Sequence, residues 1–407
     1  MRILIAHNHY QQSGGEDEVV RAESALLREF KQDVRLYERS NAELNGYSSF
    51  QKLNHLFRLD WARQSFLDMK KIIREFCPDV VHFHNIFFMI TPSAYFACRQ
   101  KGVPVIQSQH NFRLLCSNAL FLRDNQICEE CTQKTLWRGV YYGCYRNSRV
   151  ATAFLVNMLQ KHWKRKTWSE AVDRYITSTE FTRQKFIASG IPQEKIVVKP
   201  HFVYPDLTER KHDGGYVLYA GRLSNEKGVQ VLLDAWRSIQ DVPLKIMGDG
   251  PAVNDLKRFA RTQNIPGVEF LGYVPRSQYE TTMGQAKFLV VPSICYDNFP
   301  RVIAEAYACG MPVLASRIGS MEEYVFDHKT GILFKPGDSH DLAEKIRWML
   351  THPDDVRAMG RWARQVYEKK YRAKENYEHL MNIYRNVVAE YVPNKGAGPS
   401  KGVFHEG

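Results

Sequence analysis

Charged and polar side chains lie between a predicted strand and a predicted helix in residues 287–310, KFLVVPSICYDNFPRVIAEAYACG. An apolar run there ends at a proline, Asp297 and Asn298 follow in a polar loop, and helical spacing begins at residues 299–301. The free N–H groups at the start of a helix bind phosphate, because they lie at the positive end of the helix dipole. The carboxylates of Asp297 and Glu305 can accept hydrogen bonds from hydroxyls. The segment therefore predicts a binding site for a sugar, a diphosphate and a nucleoside. The alternative is an ordinary strand–helix unit whose acidic side chains are solvated.

A second loop after a predicted strand carries two cations. Residues 217–220 read VLYA, and Arg222 and Lys227 follow within the next seven residues. An arginine can donate two parallel hydrogen bonds to phosphate oxygens, and a lysine adds a point charge. The pair suits a diphosphate, although ordinary surface charges explain the same residues equally well.

Two further clusters follow predicted strands in the N-terminal half. Gly14 and Gly15 separate the strand of residues 2–6 from the next helix, and glycines there let a ligand approach backbone N–H groups. The pair lacks the G-x-G-x-x-G spacing, and a bare turn explains it as well. His84 and His110 end two other strands, at the positions where open α/β sheets bind ligands. For His84 a structural role is the favoured interpretation.

Four cysteines fall in a loop-rich stretch with the spacing C-x11-C-x2-C-x12-C. A structural zinc ion takes four such ligands in a tetrahedron. The stretch lacks an obvious core of its own, so a metal would supply the missing ordering free energy. We expect a structural zinc ion here, with four buried thiols or an iron–sulfur cluster as alternatives. The expected ligands are Cys116, Cys128, Cys131 and Cys144.

Length and composition favour two domains and an anionic partner. A chain of 407 residues with 44% hydrophobic residues fits two ordinary cores. The net charge of +12 favours nucleotide phosphates, an acidic membrane surface or nucleic acid, but no nucleic-acid motif accompanies it. No apolar run approaches the ~20 residues that span a bilayer, and no signal peptide is predicted. We therefore expect a cytoplasmic protein whose eight cysteines are reduced or bind metal.

An amphipathic pattern with a basic end covers residues 154–168. Apolar residues share one helical face, and Lys161, Lys164, Arg165 and Lys166 cluster towards the end. Such a helix suits the surface of an anionic membrane. A core-facing helix with a solvated basic end fits the same pattern, and the sequence leaves both interpretations open.

Together these motifs resemble glycosyltransferase family 4, a retaining family with the GT-B fold that uses nucleotide sugars. The likeness rests most on residues 221–228, which fit the family's G-R-x4-K-G, and on residues 297–305, where Asp-x7-Glu stands for the family's Glu-x7-Glu. The resemblance implies an α/β fold in which two Rossmann-like domains face each other across a cleft. It implies that His110 lies beside the donor sugar. The donor-binding residues that it implies are Gly14, Gly15, Gly221, Arg222, Lys227, Asp297, Asn298, Phe299, Pro300, Arg301 and Glu305.

The resemblance also implies a mechanism and partners. The expected catalytic residues are His110, Arg222, Lys227 and Asp297, with charge stabilisation of the leaving diphosphate as the main effect. No catalytic metal is expected, because cationic side chains take the place of Mg²⁺. The expected acceptor is a glycan or lipid-linked glycan used in cell-surface polysaccharide synthesis, reached from the cytoplasm or the inner face of the membrane. The rival functions are a GT-B sugar-nucleotide epimerase or sugar phosphate synthase, and a noncatalytic protein that binds membranes or nucleic acid.

The expected domain organisation has four parts. Residues 1–203 form the acceptor-binding domain, with the Cys-rich insertion at about 113–149, and residues 204–372 form the nucleotide-sugar-binding domain. A helix within residues 373–392 crosses back onto the first domain, as in other GT-B folds. Residues 393–407, rich in Gly, Pro, Ser and Lys, form a disordered tail.

Overall fold

The computed structural model describes residues 1–11, 14–210 and 214–391. The predicted tail of residues 393–407 lies outside this range. The elements of the N-terminal half are β1 (Arg2–His9), α1 (Gly15–Glu29), β2 (Asp33–Ser40), α2 (Ser49–Phe57), α3 (Arg63–Phe76), β3 (Val80–Phe83), α4 (Ser93–Lys101), β4 (Val105–Gln109), β5 (Leu122–Arg123), β6 (Gln126–Ile127), α5 (Glu130–Gln133), α6 (Trp137–Tyr142), α7 (Arg149–Lys164), α8 (Thr167–Glu170), β7 (Arg174–Thr177), α9 (Glu180–Ala188) and β8 (Ile196–Val198).

The C-terminal half repeats the alternation of strands and helices. Short 3₁₀ turns cover Asn41–Gly46, Gln193–Lys195 and Asn225–Lys227. The remaining elements are β9 (Tyr216–Ala220), α10 (Val229–Trp236), β10 (Leu244–Met247), α11 (Val253–Thr262), β11 (Val268–Gly272), α12 (Arg276–Gly284), β12 (Ala286–Val291), α13 (Arg301–Ala308), β13 (Val313–Ser316), α14 (Met321–Tyr324), β14 (Gly331–Phe334), α15 (Ser339–Thr351), α16 (Pro353–Lys370) and α17 (Ala373–Glu390).

Two six-stranded parallel sheets organise the molecule. The first has the strand order β2-β1-β3-β4-β7-β8, and the second has the order β11-β10-β9-β12-β13-β14. Every residue of β9 and five of the six residues of β12 are buried, because helices cover both faces of a parallel sheet. The predicted fold class, two Rossmann-like α/β domains, is confirmed.

The C-terminal helix α17 packs against the first sheet rather than the second. Its buried residues Leu380 and Tyr384 share a core cluster with Ile3 and Ile5 of β1. The hydroxyl of Tyr384 also lies 2.7 Å from Nδ1 of the buried His82 in β3. The predicted crossing of this helix back to the first domain is confirmed.

The apolar face of α7 is buried inside the protein. Leu155, Val156 and Leu159 belong to the first hydrophobic core, whereas Lys164 and Lys166 are exposed at the far end. The structure therefore favours the core-facing interpretation for this face of the helix. Within the described residues, no helix is both long enough and apolar enough to cross a membrane.

Candidate active site

The loop between β12 and α13, residues 292–300, carries the predicted site residue Asp297; we call it the donor loop. One carboxylate oxygen of Asp297 lies 2.5 Å from Nζ of Lys227, and the other accepts a hydrogen bond from the Ser293 hydroxyl at 2.7 Å. Helix α13 then begins at Arg301, after Pro300 in an extended conformation. The carboxylate thus connects the lysine to the loop that precedes the helix.

Lys227 reaches this loop because its own strand, β9, is the immediate neighbour of β12 in the second sheet. The two loops that follow these strands touch through the backbone, where Ile294 N donates to the Glu226 carbonyl at 3.0 Å. Gly228, with φ of +67°, makes the approach feasible, because a Cβ at this position would lie 1.9 Å from the Pro292 carbonyl oxygen. The fold therefore places the Lys227 ammonium against the loop that leads into α13.

The charge state of Lys227 is held by its partner. Partial burial disfavours the ammonium, but attraction to the Asp297 carboxylate outweighs it and raises the pKa of Lys227. The Lys227 side chain is 27% exposed, and an ammonium has three donors, so the Asp297 bond leaves two for phosphate oxygens. Arg222, five residues earlier on the same loop, is exposed.

Glu305 lies on the second turn of α13 and is buried. Its two carboxylate oxygens contact different groups: one accepts from the Tyr279 hydroxyl at 2.5 Å, and the other lies 3.3 Å from a terminal nitrogen of Arg301. The Arg301 Nε–H group is buried and has no hydrogen-bond partner within the described residues. This unpaired buried N–H, at the first residue of the helix, would gain a partner if a phosphate or hydroxyl oxygen reached it.

His110 lies beyond the end of β4 in a row of aromatic rings. Its Nε2 is 2.9 Å from Nδ1 of His84, and its ring stacks on His84 at 5.1 Å and on His201 at 5.4 Å between centroids. Burial and the nearby positive groups lower the pKa of His110 to about 3. A neutral imidazole at physiological pH donates or accepts hydrogen bonds but supplies no charge, which suits an orienting role.

The donor loop is held beside His110 by Asn298. The Asn298 amide donates to the carbonyl of Gln109 at 3.1 Å and accepts from the Thr182 hydroxyl at 2.7 Å. The ring of Phe299 meets His201 edge-on at 5.0 Å. Asn298 was predicted to contact the donor; in the structure its side chain joins the two domains, and the sequence offered no signal for this.

Gly14 and Gly15 open the first helix at the carboxyl end of β1. The Gly14 N–H donates to the Asp17 carboxylate at 2.8 Å, and beyond the adjoining chain none of the described residues has an atom within 4 Å of a Cβ built at either glycine. The buried Asp17 also lies 2.8 Å from Nε2 of His7. Donor binding by these two glycines stays a prediction.

A small polar cavity adjoins His110 in the first domain. Burial and the neighbouring Asp17 raise the pKa of Glu16 to about 8, so this side chain keeps its proton at neutral pH. Glu16 and Arg113 line this small cavity together with His84 and His110. Sequence reasoning missed Glu16 and Arg113, because neither belongs to a recognisable motif.

Two groups of metal-ligating side chains come close together among the described residues. The ligand atoms within each group lie within 4.8 Å of one another: His7, His9 and Asp17 form one group, and Glu23, His82 and His84 form the other. In the first, Asp17 is already hydrogen-bonded to both histidines; in the second, both nitrogens of His82 contact hydroxyls. These contacts account for both groups as hydrogen-bonded networks.

Comparison with known families matches both halves of the chain. The model described as "Glycosyltransferase Family 4" matches residues 19–207, and the model described as "Glycosyl transferases group 1" matches residues 206–366. Fold and site define a GT-B protein. The chain belongs to the GT-B glycosyltransferases of the family 4 type, as its motifs predicted.

Related proteins agree with this assignment. The phosphatidyl-myo-inositol mannosyltransferase of Mycobacterium leprae is 27% identical over 63% of this chain and 65% of its own length. The alignments to the first three curated relatives cover 55%, 36% and 42% of their lengths, so the chain spans about half the length of these relatives or less.

Solved structures share the fold at low sequence identity. The sucrose-phosphate synthase of Thermosynechococcus elongatus superposes with a TM-score of 0.72 at 17% identity, covering 96% of this chain and 100% of that one. The HepE protein of Anabaena, solved in complex with UDP, gives 0.67 at 17% identity, covering 95% of this chain and 100% of that one.

Proposed function

We propose that this protein transfers a sugar from a nucleoside diphosphate sugar to a glycan or lipid-linked glycan acceptor, with retention of configuration, in the synthesis of a cell-surface polysaccharide. The observation that carries the proposal is the contact of Lys227 with Asp297 directly before α13. The cation lies on the loop after β9, and the neighbouring loop after β12 leads into α13, whose first residue is Arg301 with its buried Nε–H. This is a site for the negative charge of a diphosphate leaving group.

The reaction places charge where these groups can stabilise it. As the bond from the sugar C1 to the diphosphate oxygen breaks, negative charge builds on that oxygen, and Lys227, Arg222 and the first N–H groups of α13 stabilise it. The acceptor oxygen bonds to C1 on the face that the diphosphate leaves, and its proton passes to the departing diphosphate. His110, neutral and fixed by His84, orients a hydroxyl of the donor sugar.

In this proposal Glu305 binds the nucleoside. Its carboxylate is held by Tyr279 and Arg301, so it is oriented before the ligand arrives. A carboxylate has about four acceptor positions, and two hydroxyls of a ribose can use those that remain. The site has no metal role in this scheme, because Lys227 and Arg222 supply the positive charge.

Two separate observations support a lipid-linked or otherwise anionic acceptor. The name of the Mycobacterium leprae relative specifies transfer to a phosphatidylinositol lipid, and the net charge of +12 favours an anionic partner. The exposed basic end of α7, at Lys164 and Lys166, is one place where anionic headgroups can approach.

Calorimetry with UDP, the ligand of one solved neighbour, and with GDP and ADP tests the donor site first. We expect one of these nucleotides to bind, and Lys227→Met to weaken it. Lys245→Met removes a partly exposed lysine of β10 and serves as the matched control. If no nucleoside diphosphate binds the wild-type protein, the proposal is wrong.

Product analysis then distinguishes sugar transfer from epimerisation of the sugar nucleotide. A sugar nucleotide of the base that binds is incubated with and without extracted lipid-linked glycans, and the anomeric configuration of the product is read by NMR. Transfer requires the acceptor and retains the configuration. Conversion of the sugar nucleotide without any acceptor would instead identify an epimerase.

A further inference from the structure

The four cysteines of the insertion converge on one pocket. Cys116 precedes the β5–β6 hairpin, Cys128 follows it, Cys131 lies in α5, and Cys144 follows α6. All four line the same pocket, and all four are free thiols. Residues 28 positions apart in sequence are thus brought together by a hairpin and two short helices.

We propose that Cys116, Cys128, Cys131 and Cys144 bind one zinc ion through four thiolates, and that this ion fixes Glu129 against the donor loop. Each thiol gives up its proton on binding, so one Zn²⁺ replaces four protons. Because all four positions of the tetrahedron are then filled by protein, the ion is structural and has no open position for substrate.

The backbone around the pocket already has the turns that such a site needs. Cys128 N donates to the Phe121 carbonyl at 2.8 Å, which closes the hairpin. Cys144 N donates to the Gly139 carbonyl at 2.9 Å at the end of α6. The four sulfur atoms lie farther apart than the ligands of one zinc ion, since among the described residues no three cysteines have their sulfur atoms all within 4.8 Å of one another. Binding therefore draws the hairpin and the two helices inward.

Two arginines beside the cysteines suit an anionic metal centre. A zinc ion with four thiolates carries a net charge of about −2, which is costly to bury without nearby cations. Arg123 and Arg138 line the same pocket, and both contact the Glu130 carboxylate, at 2.9 and 2.8 Å. The guanidinium of Arg123 also lies 3.8 Å from the centre of the Tyr142 ring.

The two acids between Cys128 and Cys131 point to different neighbours. Glu130 faces the arginines of the insertion, whereas Glu129 reaches out of it. One Glu129 oxygen accepts from Lys185 Nζ at 2.6 Å and from the Tyr296 hydroxyl at 2.9 Å.

Tyr296 directly precedes Asp297 on the donor loop, and its ring lies 4.8 Å from that of Phe181 in the first domain. A metal that orders the Cys-x2-Cys turn therefore also orders a contact between the two domains, one residue from the proposed diphosphate site. The metal acts on this loop through Glu129 and Tyr296, so their role is one of positioning.

Metal analysis of the full-length protein, purified without chelators or metal resins, tests the binding. We expect about one zinc per chain, and visible d–d absorption bands of a tetrahedral thiolate site after growth with Co²⁺. The variant Cys128→Ser, Cys131→Ser should lose the metal. Cys77→Ser, which alters an exposed cysteine outside the insertion, should keep it.

Several results would overturn the zinc site. One is protein without metal in which the four thiols react freely with a disulfide reagent. Another is iron with acid-labile sulfide, and a third is zinc that persists in the double variant. None of these measurements depends on sugar transfer, so a failure of the proposed function would leave them unaffected.

Hydrogen exchange tests the link to the donor loop. Removing zinc from the wild-type protein should speed exchange of backbone amides in residues 128–131 and also in residues 294–298. Tyr296→Phe, which lacks the hydroxyl that donates to Glu129, should retain zinc yet exchange faster at 294–298 before any metal is removed. Unchanged exchange at 294–298 in both experiments would refute the positioning role.

Discussion

Lys227→Met separates two roles that the structure combines in one side chain. Lys227 holds Asp297 through a 2.5 Å contact, and in the proposed reaction it also stabilises the departing diphosphate. Methionine keeps the length and apolar character of the side chain but removes the charge. The two roles predict different outcomes for stability and for turnover.

The expected loss of stability is modest. Removing one partner of a fully buried ion pair costs about 3–5 kcal/mol, because the other charge stays buried and unpaired. Here the Lys227 and Asp297 side chains are 27% and 14% exposed, and Ser293 still donates to the carboxylate. We therefore expect a loss of about 1–2 kcal/mol. Adding Asp297→Asn removes the unpaired charge and should recover most of it.

The expected loss of turnover is larger. Removing one preorganised donor to a developing negative charge typically lowers kcat by about 10²–10³-fold, or roughly 3–4 kcal/mol of the barrier. Neutralising Asp297 cannot restore the missing cation, so the double variant should recover most of the wild-type stability but still turn over slowly. Lys227→Arg keeps the charge and should retain more activity than Lys227→Met.

Urea unfolding measures the stability, and release of the nucleoside diphosphate at saturating donor and acceptor measures kcat. The reasoning fails if Lys227→Met turns over within about threefold of the wild type, since a transition-state donor is worth far more than that. It also fails if the double variant recovers activity along with stability, because Lys227 would then act only through Asp297.

Three other variants give independent tests. The pKa of Glu16 is raised from 4.5 to about 8 in the folded state, so between these pH values the folded protein keeps a proton that the unfolded chain loses. The free energy of unfolding should therefore fall as the pH rises from 4.5 to 8. Glu16→Gln should remove the contribution of this group to the pH dependence. Urea unfolding across this range checks it, and identical slopes would contradict it. Asn298→Ala removes the acceptor of the Thr182 hydroxyl proton and a donor to the Gln109 carbonyl, so thermal unfolding should show a loss of about 1–3 kcal/mol. An unchanged transition would contradict this expectation. Glu305→Gln should weaken binding of the nucleoside diphosphate about tenfold or more in calorimetry, and equal affinity would exclude a ribose contact.

Local patterns predicted the strands and helices of the site well. The buried run before Pro292 and the helical spacing after Pro300 predicted β12 and α13, because parallel strands are apolar throughout and helices show a different period. The loop that carries Arg222 and Lys227 was predicted by the same reasoning. The pattern of neighbouring residues along the sequence was enough to predict these elements.

Contacts between distant residues could not be predicted in this way. Lys227 and Asp297 are 70 positions apart, and Glu129 and Tyr296 are 167 apart. Their meeting depends on the order of strands in a sheet and on the packing of two domains. The pairing of Glu305 with Tyr279 depends in the same way on how α12 packs beside α13.

The contacts between the domains bear on how substrates enter. The donor loop is joined to the first domain by hydrogen bonds of Asn298 and Tyr296, and the Glu323 carboxylate accepts from the Glu180 N–H at 2.9 Å. Each such bond has a net worth of about 1 kcal/mol, because water replaces it when the domains part. Aromatic contacts also join the domains, between Tyr296 and Phe181 and between Phe299 and His201, so separation exposes apolar as well as polar surface. The loop that we propose for the diphosphate is therefore also the loop that joins the two domains, since Asp297 lies between Tyr296 and Asn298.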